Sequence, residues 1–339
     1  MNESEAPVTH SSPASPESLH APVMESELIE LLRPVLDRPG AVYVDCTLGM
    51  AGHAVAMLRA FPQSRLVGID RDADALELAR TRLETAGLAD RAHLHHATYD
   101  RITDALAAAG ADAADGILMD LGLSSFQIDT RERGFAYSQD APLDMRMNAS
   151  GDEETAADLV NSLEEDELAR ILSDYGEERF ARRIARSIVQ RRAERRFERS
   201  ADLVEVIDRS IPAARKRTGG HPAKRTFQAL RIAVNDELDI LQDALTAALR
   251  ALAPGGRLAV ESYHSLEDRM VKRAFAEAST SSAPIDLPFD LPEHAPDFTL
   301  VHRGARQASL EEQAQNSRSA SVRLRAIERR AQSRPTEAA

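Results

Sequence analysis

The sequence of 339 residues has one cysteine, no apolar run of membrane-spanning length and no excess of positive charge. The single cysteine, Cys46, excludes an internal disulfide and favours a reducing compartment. Because no apolar run is long enough to cross a bilayer, we expect a soluble cytoplasmic protein without a membrane partner. The 55 acidic residues outnumber the 42 basic ones, and the net charge of −13 excludes a general attraction to nucleic acid.

The two ends of the chain are predicted to be tails. Residues 1–19 are rich in Ser, Pro and Glu, which is typical of a disordered segment, and they lack the basic and apolar regions of a signal peptide. Residues 331–339 form the second predicted tail. The sequence as a whole is 43% apolar, which is enough to bury a substantial core between the tails.

Two common phosphate-binding motifs are missing from the first glycine-rich stretch, residues 41–53. A β-branched run ends there in Asp45, turns through two glycines and becomes helical. The G-x-x-G spacing without a third glycine excludes the dinucleotide fingerprint, and the absence of Gly-Lys-Ser/Thr excludes a Walker loop. A second predicted strand, 65–70, ends in Asp70, where nucleotide folds bind ribose hydroxyls. This favours S-adenosylmethionine, a cofactor with a ribose but no phosphate; the alternative is that the glycines serve only a tight turn.

The periodicity along the chain predicts a doubly wound α/β sheet that is interrupted by helices. The alternation of strands and helices stops after the fourth predicted strand, and 156–208 has helical spacing throughout. One long helix with a single apolar stripe is predicted from Phe227 to Leu252. The predicted strands are 41–48, 65–70, 92–98, 116–122, 256–263, 298–302 and 321–327.

A second polar stretch follows the predicted fourth strand. Asp120-Leu-Gly-Leu-Ser-Ser-Phe-Gln-Ile-Asp129 places an acid, a glycine and two serines where open α/β sheets bind their ligands. We interpret Asp120 and Ser124 as part of the reactive end of this site. The alternative for Asp120 is that it caps the next helix.

The end of the predicted fifth strand carries three more candidates. Ser262, Tyr263 and His264 are expected to face the same crevice as Asp120. His264 can accept a proton or hold a loop by hydrogen bonds, and the sequence leaves both roles open. The three histidines of strand 92–98 have no further ligand at a suitable spacing, so no metal site is predicted.

Arginine is concentrated between the fourth and fifth predicted strands. Interleaved glutamates favour a solvated helix face, through pairing of residues four apart. The excess of arginine over glutamate in an otherwise acidic protein favours a phosphate-binding surface instead, and both interpretations stay open. The arginines are Arg179, Arg182, Arg183, Arg186, Arg191, Arg192, Arg195, Arg196 and Arg199.

Eight motifs in chain order, between residues 20 and 325, resemble one family. They are His20-Ala-Pro-Val, Asp45-Cys-Thr-Leu-Gly, Gly68-Ile-Asp-Arg-Asp72, Asp120-Leu-Gly-Leu-Ser-Ser, Leu143-Asp-Met-Arg-Met, Tyr175-Gly-Glu-Glu178, His221-Pro-Ala-Lys-Arg-Thr-Phe-Gln-Ala-Leu-Arg-Ile232 and His264-Ser-Leu-Glu-Asp-Arg269. Together they resemble the bacterial ribosomal small-subunit RNA methyltransferase H family. The resemblance implies methylation of the N4 amino group of a decoding-region cytosine in 16S rRNA, as free RNA or in the small ribosomal subunit.

The resemblance also implies the fold and the cofactor site. The implied fold is a class I S-adenosylmethionine-dependent methyltransferase, with a Rossmann-like, seven-stranded sheet and a helical insertion domain after strand four. Residues 20–130 and 226–330 would form the methyltransferase domain, and 131–225 the RNA-binding insertion. The residues implied to hold the cofactor are Ala51, Gly52, His53, Asp70, Tyr99, Asp120 and Gln127. The family usually has glycine at the position of Ala51, and a methyl group is tolerable there only if φ is negative.

Catalysis is expected to involve Asp120, Ser124, Ser262, Tyr263 and His264, with Tyr263 stacked on an extruded cytosine. Two other functions stay open. One is an S-adenosylmethionine-dependent methyltransferase that acts on another substrate, with the arginines merely solvated. The other is a non-catalytic ribosome-assembly factor that uses the fold as a platform. The sequence does not decide between a monomer and a homodimer.

Overall fold

The computed structural model describes residues 22–212, 221–281, 283 and 294–331. The predicted tail at 1–19 and residues 332–339 of the second tail lie outside these ranges. Within the described ranges, no helix is both long enough and apolar enough to cross a membrane.

The prediction of an α/β fold with a seven-stranded sheet is confirmed. The strand order is β3-β2-β1-β4-β5-β7-β6, in which β1 to β5 are parallel and the last two strands run antiparallel to their neighbours. The strands are β1 (Val42–Asp45), β2 (Arg65–Asp70), β3 (Ala92–His96), β4 (Ala114–Asp120), β5 (Leu252–Ser262), β6 (Phe298–Leu300) and β7 (Arg323–Arg329).

Helices cover both faces of the sheet because its strands alternate between two apolar sets. Tyr43 and Leu118 belong to the core on one face, with α1 and α2, whereas Val44 and Ile117 belong to the core on the other face, with α4 and α11. The helices are α1 (Glu25–Leu36), α2 (Gly52–Ala60), α3 (Ala73–Thr85), α4 (Ile102–Ala108), α5 (Ser125–Asp129), α6 (Ala156–Ser162), α7 (Glu165–Asp174), α8 (Ala181–Glu194), α9 (Ser200–Ser210), α10 (Ala223–Asn235), α11 (Glu237–Ala251), α12 (Ser265–Ala278) and α13 (Leu310–Gln315).

A separate hydrophobic core forms between β4 and β5 in the sequence. It begins at Phe135, is built mainly from α6 to α10, and ends at Val234. We call α6 to α10 the helical segment. Since Phe227 and Leu230 of α10 are buried in this core, packing places the whole of α10 with the helical segment, whereas the predicted domain division at 225–226 falls inside that helix.

The prediction of one helix from Phe227 to Leu252 is wrong. Two helices, α10 and α11, meet at Asp236, whose φ of 50° and ψ of 35° are left-handed. Asn235 closes α10 because its side chain accepts from Met147 N at 2.7 Å and donates to Met145 O at 2.8 Å. The apolar spacing continues across the break because α10 buries its apolar face in the helical segment and α11 buries its own against the sheet.

Candidate active site

Four buried or half-buried acids lie at the carboxyl ends of neighbouring strands. They are Asp45 on β1, Asp70 on β2, Asp120 on β4 and Glu261 on β5. Asp120 pairs in register with Glu261, and the alternation of side chains along each strand places all four acids on the face covered by α2. Carboxyl groups are therefore concentrated at the edge of the sheet where open α/β folds bind ligands.

A cleft of about 810 Å³, including the solvent at its mouth, opens at this edge. Its walls come from the ends of β1, β2 and β4, from α5 and from the start of α11. Five of the predicted site residues line it: Asp70, Tyr99, Asp120, Ser124 and Gln127. The other predicted residues, Ala51, Gly52, His53, Ser262, Tyr263 and His264, lie outside this lining, although two of them touch Asp120 as described below.

Asp70 is held toward the cleft by the loops on either side. Its carboxylate accepts from Gly49 N at 2.7 Å and from Asp72 N at 2.9 Å. Burial raises the pKa of Asp70 to about 6, although these two hydrogen bonds favour the anion. A carboxylate accepts about four hydrogen bonds, so Asp70 retains capacity for the two hydroxyls of a ribose.

The condition that the sequence analysis set for alanine at position 51, a negative φ, is not met. Ala51 is fully buried with φ 59° and ψ 33°, and it leads directly into α2. Its N–H donates to Leu48 O at 2.8 Å, which closes a tight turn in the space between β1 and β2. A left-handed conformation costs a residue with a side chain about 1–2 kcal/mol. The fold thus places alanine where glycine would be unstrained, and the methyl group fills the core beneath the loop.

Tyr99 lies in an apolar part of the cleft beside Leu238 and Leu241 of α11. Its hydroxyl is 3.4 Å from Glu237 O, so the ring is tied to the first turn of α11. Glu237 is itself held by two hydrogen bonds from Arg231, at 2.7 and 2.8 Å. A flat aromatic wall opposite leucine side chains suits a planar ring such as adenine.

Asp120 lies at the centre of the acidic edge. Tyr263 donates its hydroxyl to Asp120 Oδ1 at 2.7 Å, and His53 Nδ1 lies 3.7 Å from Asp120 Oδ2. The backbone N–H of Asp120 donates to Thr47 Oγ1 at 2.7 Å, which ties β4 to the glycine loop. Burial raises the pKa of Asp120, so its carboxylate is a stronger base than an exposed one.

Glu261 is a residue that the sequence analysis did not select. It is fully buried, and its two carboxylate oxygens receive no hydrogen bond from the amides, hydroxyls or imidazoles of the described residues. Burial, and then the charge of Asp120, raise the pKa of Glu261 well above its usual range. A signal existed: like the other three acids, Glu261 stands at the end of a predicted buried strand.

Ser124 and Gln127 stabilise the start of α5. The Ser124 hydroxyl accepts from Gln127 N at 3.2 Å, and Ser124 N donates to Gln127 Oε1 at 3.1 Å, which is a capping box. Gln127 also donates to Asp72 Oδ2 at 3.2 Å. Asp72 is buried and accepts from Arg133 Nη2 at 3.0 Å. The cleft wall made by α5 is therefore fixed to the end of β2 by a buried polar network.

Two of the residues predicted to be catalytic have other surroundings. Ser262 is fully buried, its side chain points to the sheet face opposite Glu261, and its Oγ has no hydrogen-bond partner among the described residues. His264 caps α12: its Nδ1 accepts from Glu267 N at 3.4 Å, and its Nε2 lies 3.1 Å from Glu267 Oε1. Of the two roles left open for His264, these contacts favour holding the loop.

One group of side chains in the described part of the chain has a spacing compatible with a metal ion. It consists of His53, Asp120 and Glu261, whose nearest ligand atoms lie within 4.8 Å of one another. The histidines of β3, which the sequence analysis considered, do not form such a group.

The cleft fits S-adenosylmethionine. Asp70 can accept from ribose hydroxyls, Tyr99 offers a flat surface to adenine, and the Asp120 carboxylate can attract the cationic amino group and sulfonium. The loop between β1 and α2 brings backbone close to the acids, since Gly49 N is already bound to Asp70.

Comparison with known proteins shows the family of the chain. The family model described as the MraW methylase family matches residues 17–330. The chain is 58% identical over 310 residues to the ribosomal RNA small subunit methyltransferase H of Saccharopolyspora erythraea, covering 91% of this chain and 93% of that protein. It is 56% identical over 323 residues to the protein of the same name from Mycobacterium avium, covering 93% and 83%.

The solved structures that match the chain are more distant in sequence. An rRNA methylase from Streptococcus thermophilus aligns with a TM-score of 0.40 at 12% identity, covering 89% of this chain and 93% of that one. SMU.1697c from Streptococcus mutans, solved in complex with SAH, aligns with a TM-score of 0.41 at 13% identity, covering 90% and 96%. The family model spans most of the chain, and the chain therefore belongs to the MraW methylase family.

Proposed function

We propose that this protein transfers a methyl group from S-adenosylmethionine to the N4 amino group of a cytosine in the decoding region of 16S rRNA. The observation that carries the proposal is the Asp120 carboxylate, which accepts a hydrogen bond from Tyr263 and lines the cleft. Support for the substrate comes from the relatives, which are named as methyltransferases of the small-subunit ribosomal RNA.

The chemistry requires positioning and a proton acceptor. The amino nitrogen of cytosine is a weak nucleophile, because its lone pair is delocalised into the ring, and S-adenosylmethionine supplies the electrophilic methyl group. Alignment of the amino nitrogen with the methyl carbon can contribute about 7–11 kcal/mol. Asp120 can accept a hydrogen bond from the amino group, and this bond orients the nitrogen. Asp120 can later receive the proton that the nitrogen loses. Gly122 and Leu123, which follow Asp120 in the chain, also line the cleft.

The predicted stacking of Tyr263 on the target base stays a proposal, and it requires that the base enter beside Gly122. Its hydroxyl is bound to Asp120, and its ring packs against the core on the α2 face. The ring edge approaches Gly122, where an added Cβ would lie 3.7 Å from Tyr263 Cδ2. Tyr263 can therefore contact a base that enters beside Gly122, while its hydroxyl orients Asp120.

An exposed cationic surface on the helical segment is the candidate RNA-binding site. We call Arg179, Arg182 and Arg183 the α8 arginine patch. All three are exposed, and among the described residues no carboxylate lies within ion-pair distance of them. Other arginines of the same stretch are engaged: Arg186 pairs with Glu165 at 3.3 Å, and Arg191 pairs with Asp202 at 3.7 Å. The patch is thus available for RNA phosphates.

Methyl transfer from labelled S-adenosylmethionine to small ribosomal subunits that lack the modification, followed by nucleoside analysis, tests the reaction. We expect N4-methylcytidine with the wild type and with the exposed-site control Asp112→Asn, and none with Asp120→Asn. Another methylated nucleoside would show that the substrate atom is wrong. Cofactor binding without methylation of ribosomal RNA would favour a methyltransferase with another substrate, and failure to bind the cofactor would favour an assembly factor.

RNA binding is tested by its salt dependence. Replacing Arg182 and Arg183 with glutamine should lower the slope of log affinity against log salt by about 0.7 per lost contact on single strands, or about 0.9 on duplex. Arg59→Gln, an exposed arginine of α2, is the control and should leave the slope unchanged. Equal slopes for all three proteins would remove the α8 arginine patch from the interface.

A further inference from the structure

A buried carboxyl pair lies directly behind the cleft. Asp120 and Glu261 are in register on β4 and β5, and a carboxylate oxygen of one lies within 4.8 Å of a carboxylate oxygen of the other. The Asp120 side chain keeps 27% of its surface exposed toward the cleft, whereas Glu261 is completely buried. The two acids thus form a buried pair in which only Asp120 is exposed to the cleft.

The surroundings of Glu261 do not stabilise an anion. No amide, hydroxyl or imidazole among the described residues donates to its oxygens. The nearest basic atom, His53 Nε2, is 3.9 Å away and already donates to Val23 O at 2.9 Å. An ionised carboxylate without partners in such a place costs several kcal/mol, whereas a neutral acid that donates to a neighbouring carboxylate costs far less. Two acids this close share one proton, and its place is on the more deeply buried one.

His53 has a fixed orientation on the other side of Asp120. The carbonyl oxygen of Val23 can only accept, so the ring proton lies on Nε2. The second ring nitrogen, Nδ1, faces Asp120 Oδ2 at 3.7 Å. At 3.7 Å these two atoms are near enough for an electrostatic interaction but too far apart for a hydrogen bond.

We propose that Glu261 is a positioning residue that shares its proton with Asp120, and that Asp120 accepts the proton released in methyl transfer. The inference rests on the proposed function, because the proton comes from the methylated amino group. The amino nitrogen bonds to the methyl carbon as the carbon–sulfur bond breaks and leaves its electron pair on sulfur. The nitrogen then gives one proton to Asp120 Oδ2, while Glu261 keeps its own.

The charged surroundings of the pair are mostly acidic. Tyr263 donates to Asp120 Oδ1, and His53 is the one basic group among the described residues that approaches both acids. The other titratable groups that act on the pair are Glu27 of α1, Tyr43 and Asp45 of β1, Glu267 of α12 and Glu312 of α13. This excess of acids favours retention of the shared proton.

A divalent cation is the rival explanation for three such ligands in one place. Adjacent oxygen ligands of octahedral Mg²⁺ are about 3 Å apart, as its bond lengths of about 2.1 Å require. The 3.7 Å between His53 Nδ1 and Asp120 Oδ2 is wider, and His53 Nε2 is already engaged by Val23 O.

Infrared difference spectroscopy of the full-length protein tests the shared proton without RNA or cofactor. Near neutral pH we expect a carbonyl band of a protonated carboxyl group in the wild type and in the exposed-site control Glu277→Gln, and loss of that band in Glu261→Gln. Absence of the band from the wild type overturns the proposal. One equivalent of divalent metal in the purified wild type, removed together with the activity by chelation, also overturns it.

The pH profile of single-turnover methyl transfer tests the role of the pair. Glu261→Gln still offers a donor to Asp120 and should retain most of the rate, with its acidic limb in place. Glu261→Leu removes that donor and should lower the rate about tenfold or more, with the acidic limb moved to higher pH. Equal losses in both variants with unmoved limbs would show a merely structural role and overturn the proposal. If the infrared band is present but no cytosine is methylated, the shared proton is confirmed. The role of Asp120 as proton acceptor and the proposed function are then both wrong.

Discussion

Replacement of Arg133 offers the sharpest test of how the wall of the cofactor cleft is held in place. Its guanidinium is only 6% exposed and donates to Asp72 Oδ1 at 3.0 Å, to Asp74 Oδ2 at 2.8 Å and to Met147 O at 3.1 Å. Asp72 is 1% exposed and also binds the Gln127 side chain, which lines the cleft. Arg133 thus supports the cleft wall through a residue that does not touch the cofactor.

Replacing Arg133 with methionine should cost about 3–5 kcal/mol of unfolding free energy, because the buried Asp72 carboxylate loses its cationic partner. The contact with exposed Asp74 adds little to this value, since solvent screens it. The Phe126 ring, 5.5 Å from the guanidinium, loses a cation–π contact of about 0.5–1 kcal/mol. We expect a lower urea midpoint at unchanged slope, and weaker binding of S-adenosylmethionine by calorimetry.

Arg131→Met is the matched control, because Arg131 is exposed and donates to one backbone carbonyl, Asp140 O. It should change the unfolding free energy by less than about 1 kcal/mol. The double variant Arg133→Met with Asp72→Asn should recover part of the loss, since the uncompensated charge is removed. If Arg133→Met is no more harmful than Arg131→Met, the reasoning about the buried pair is refuted.

Three further predictions concern the acidic edge and the glycine loop. Tyr263→Phe should lower the methyl-transfer rate at saturating cofactor about tenfold, because Asp120 loses a hydrogen bond to a charged group; an unchanged rate in rapid-quench measurements would contradict this role. Burial raises the pKa values of Asp45 and Asp70 to about 6. These two carboxyl groups should therefore contribute fully to the stability of the cofactor-free protein below about pH 4, and this contribution should be lost as pH rises through about 6. Asp45→Asn should flatten that decline in urea titrations at several pH values, and an identical pH profile would argue against it. Ala51→Gly should change the unfolding free energy by less than about 1 kcal/mol, because relief of left-handed strain is offset by the lost methyl group and by added backbone freedom; a loss of several kcal/mol would show that the strain argument is wrong.

Short-range patterns in the sequence were sufficient for the framework of the molecule. The strand at 65–70 has the predicted bounds, and acids that follow short β-branched runs predicted the cleft at the end of the sheet. These features are local: a buried strand needs consecutive apolar residues, and a ligand site at its end needs a polar residue next in the chain. The position of Asp120 was predicted for the same reason.

Features that depend on a choice between two locally equivalent conformations were not predictable. The apolar spacing around Asp236 is that of one continuous helix, and only the separate burial of α10 and α11 breaks it. The positive φ of Ala51 was not predictable either, because alanine by itself favours negative φ and only the packing of this buried residue imposes the opposite sign.

The sequence by itself determined the strands, the glycine loop, the acids at the strand ends and the family resemblance, because each is encoded by residues close together in the chain. Only the tertiary structure decided which acids meet. Glu261 and His53 reach Asp120 from different elements of the fold, β5 and α2. Ser262, its neighbour in sequence, points to the opposite face because side chains alternate along a strand. Register and burial, which follow from the packing of the whole domain, therefore decide which polar residues can take part in the chemistry and which serve the core.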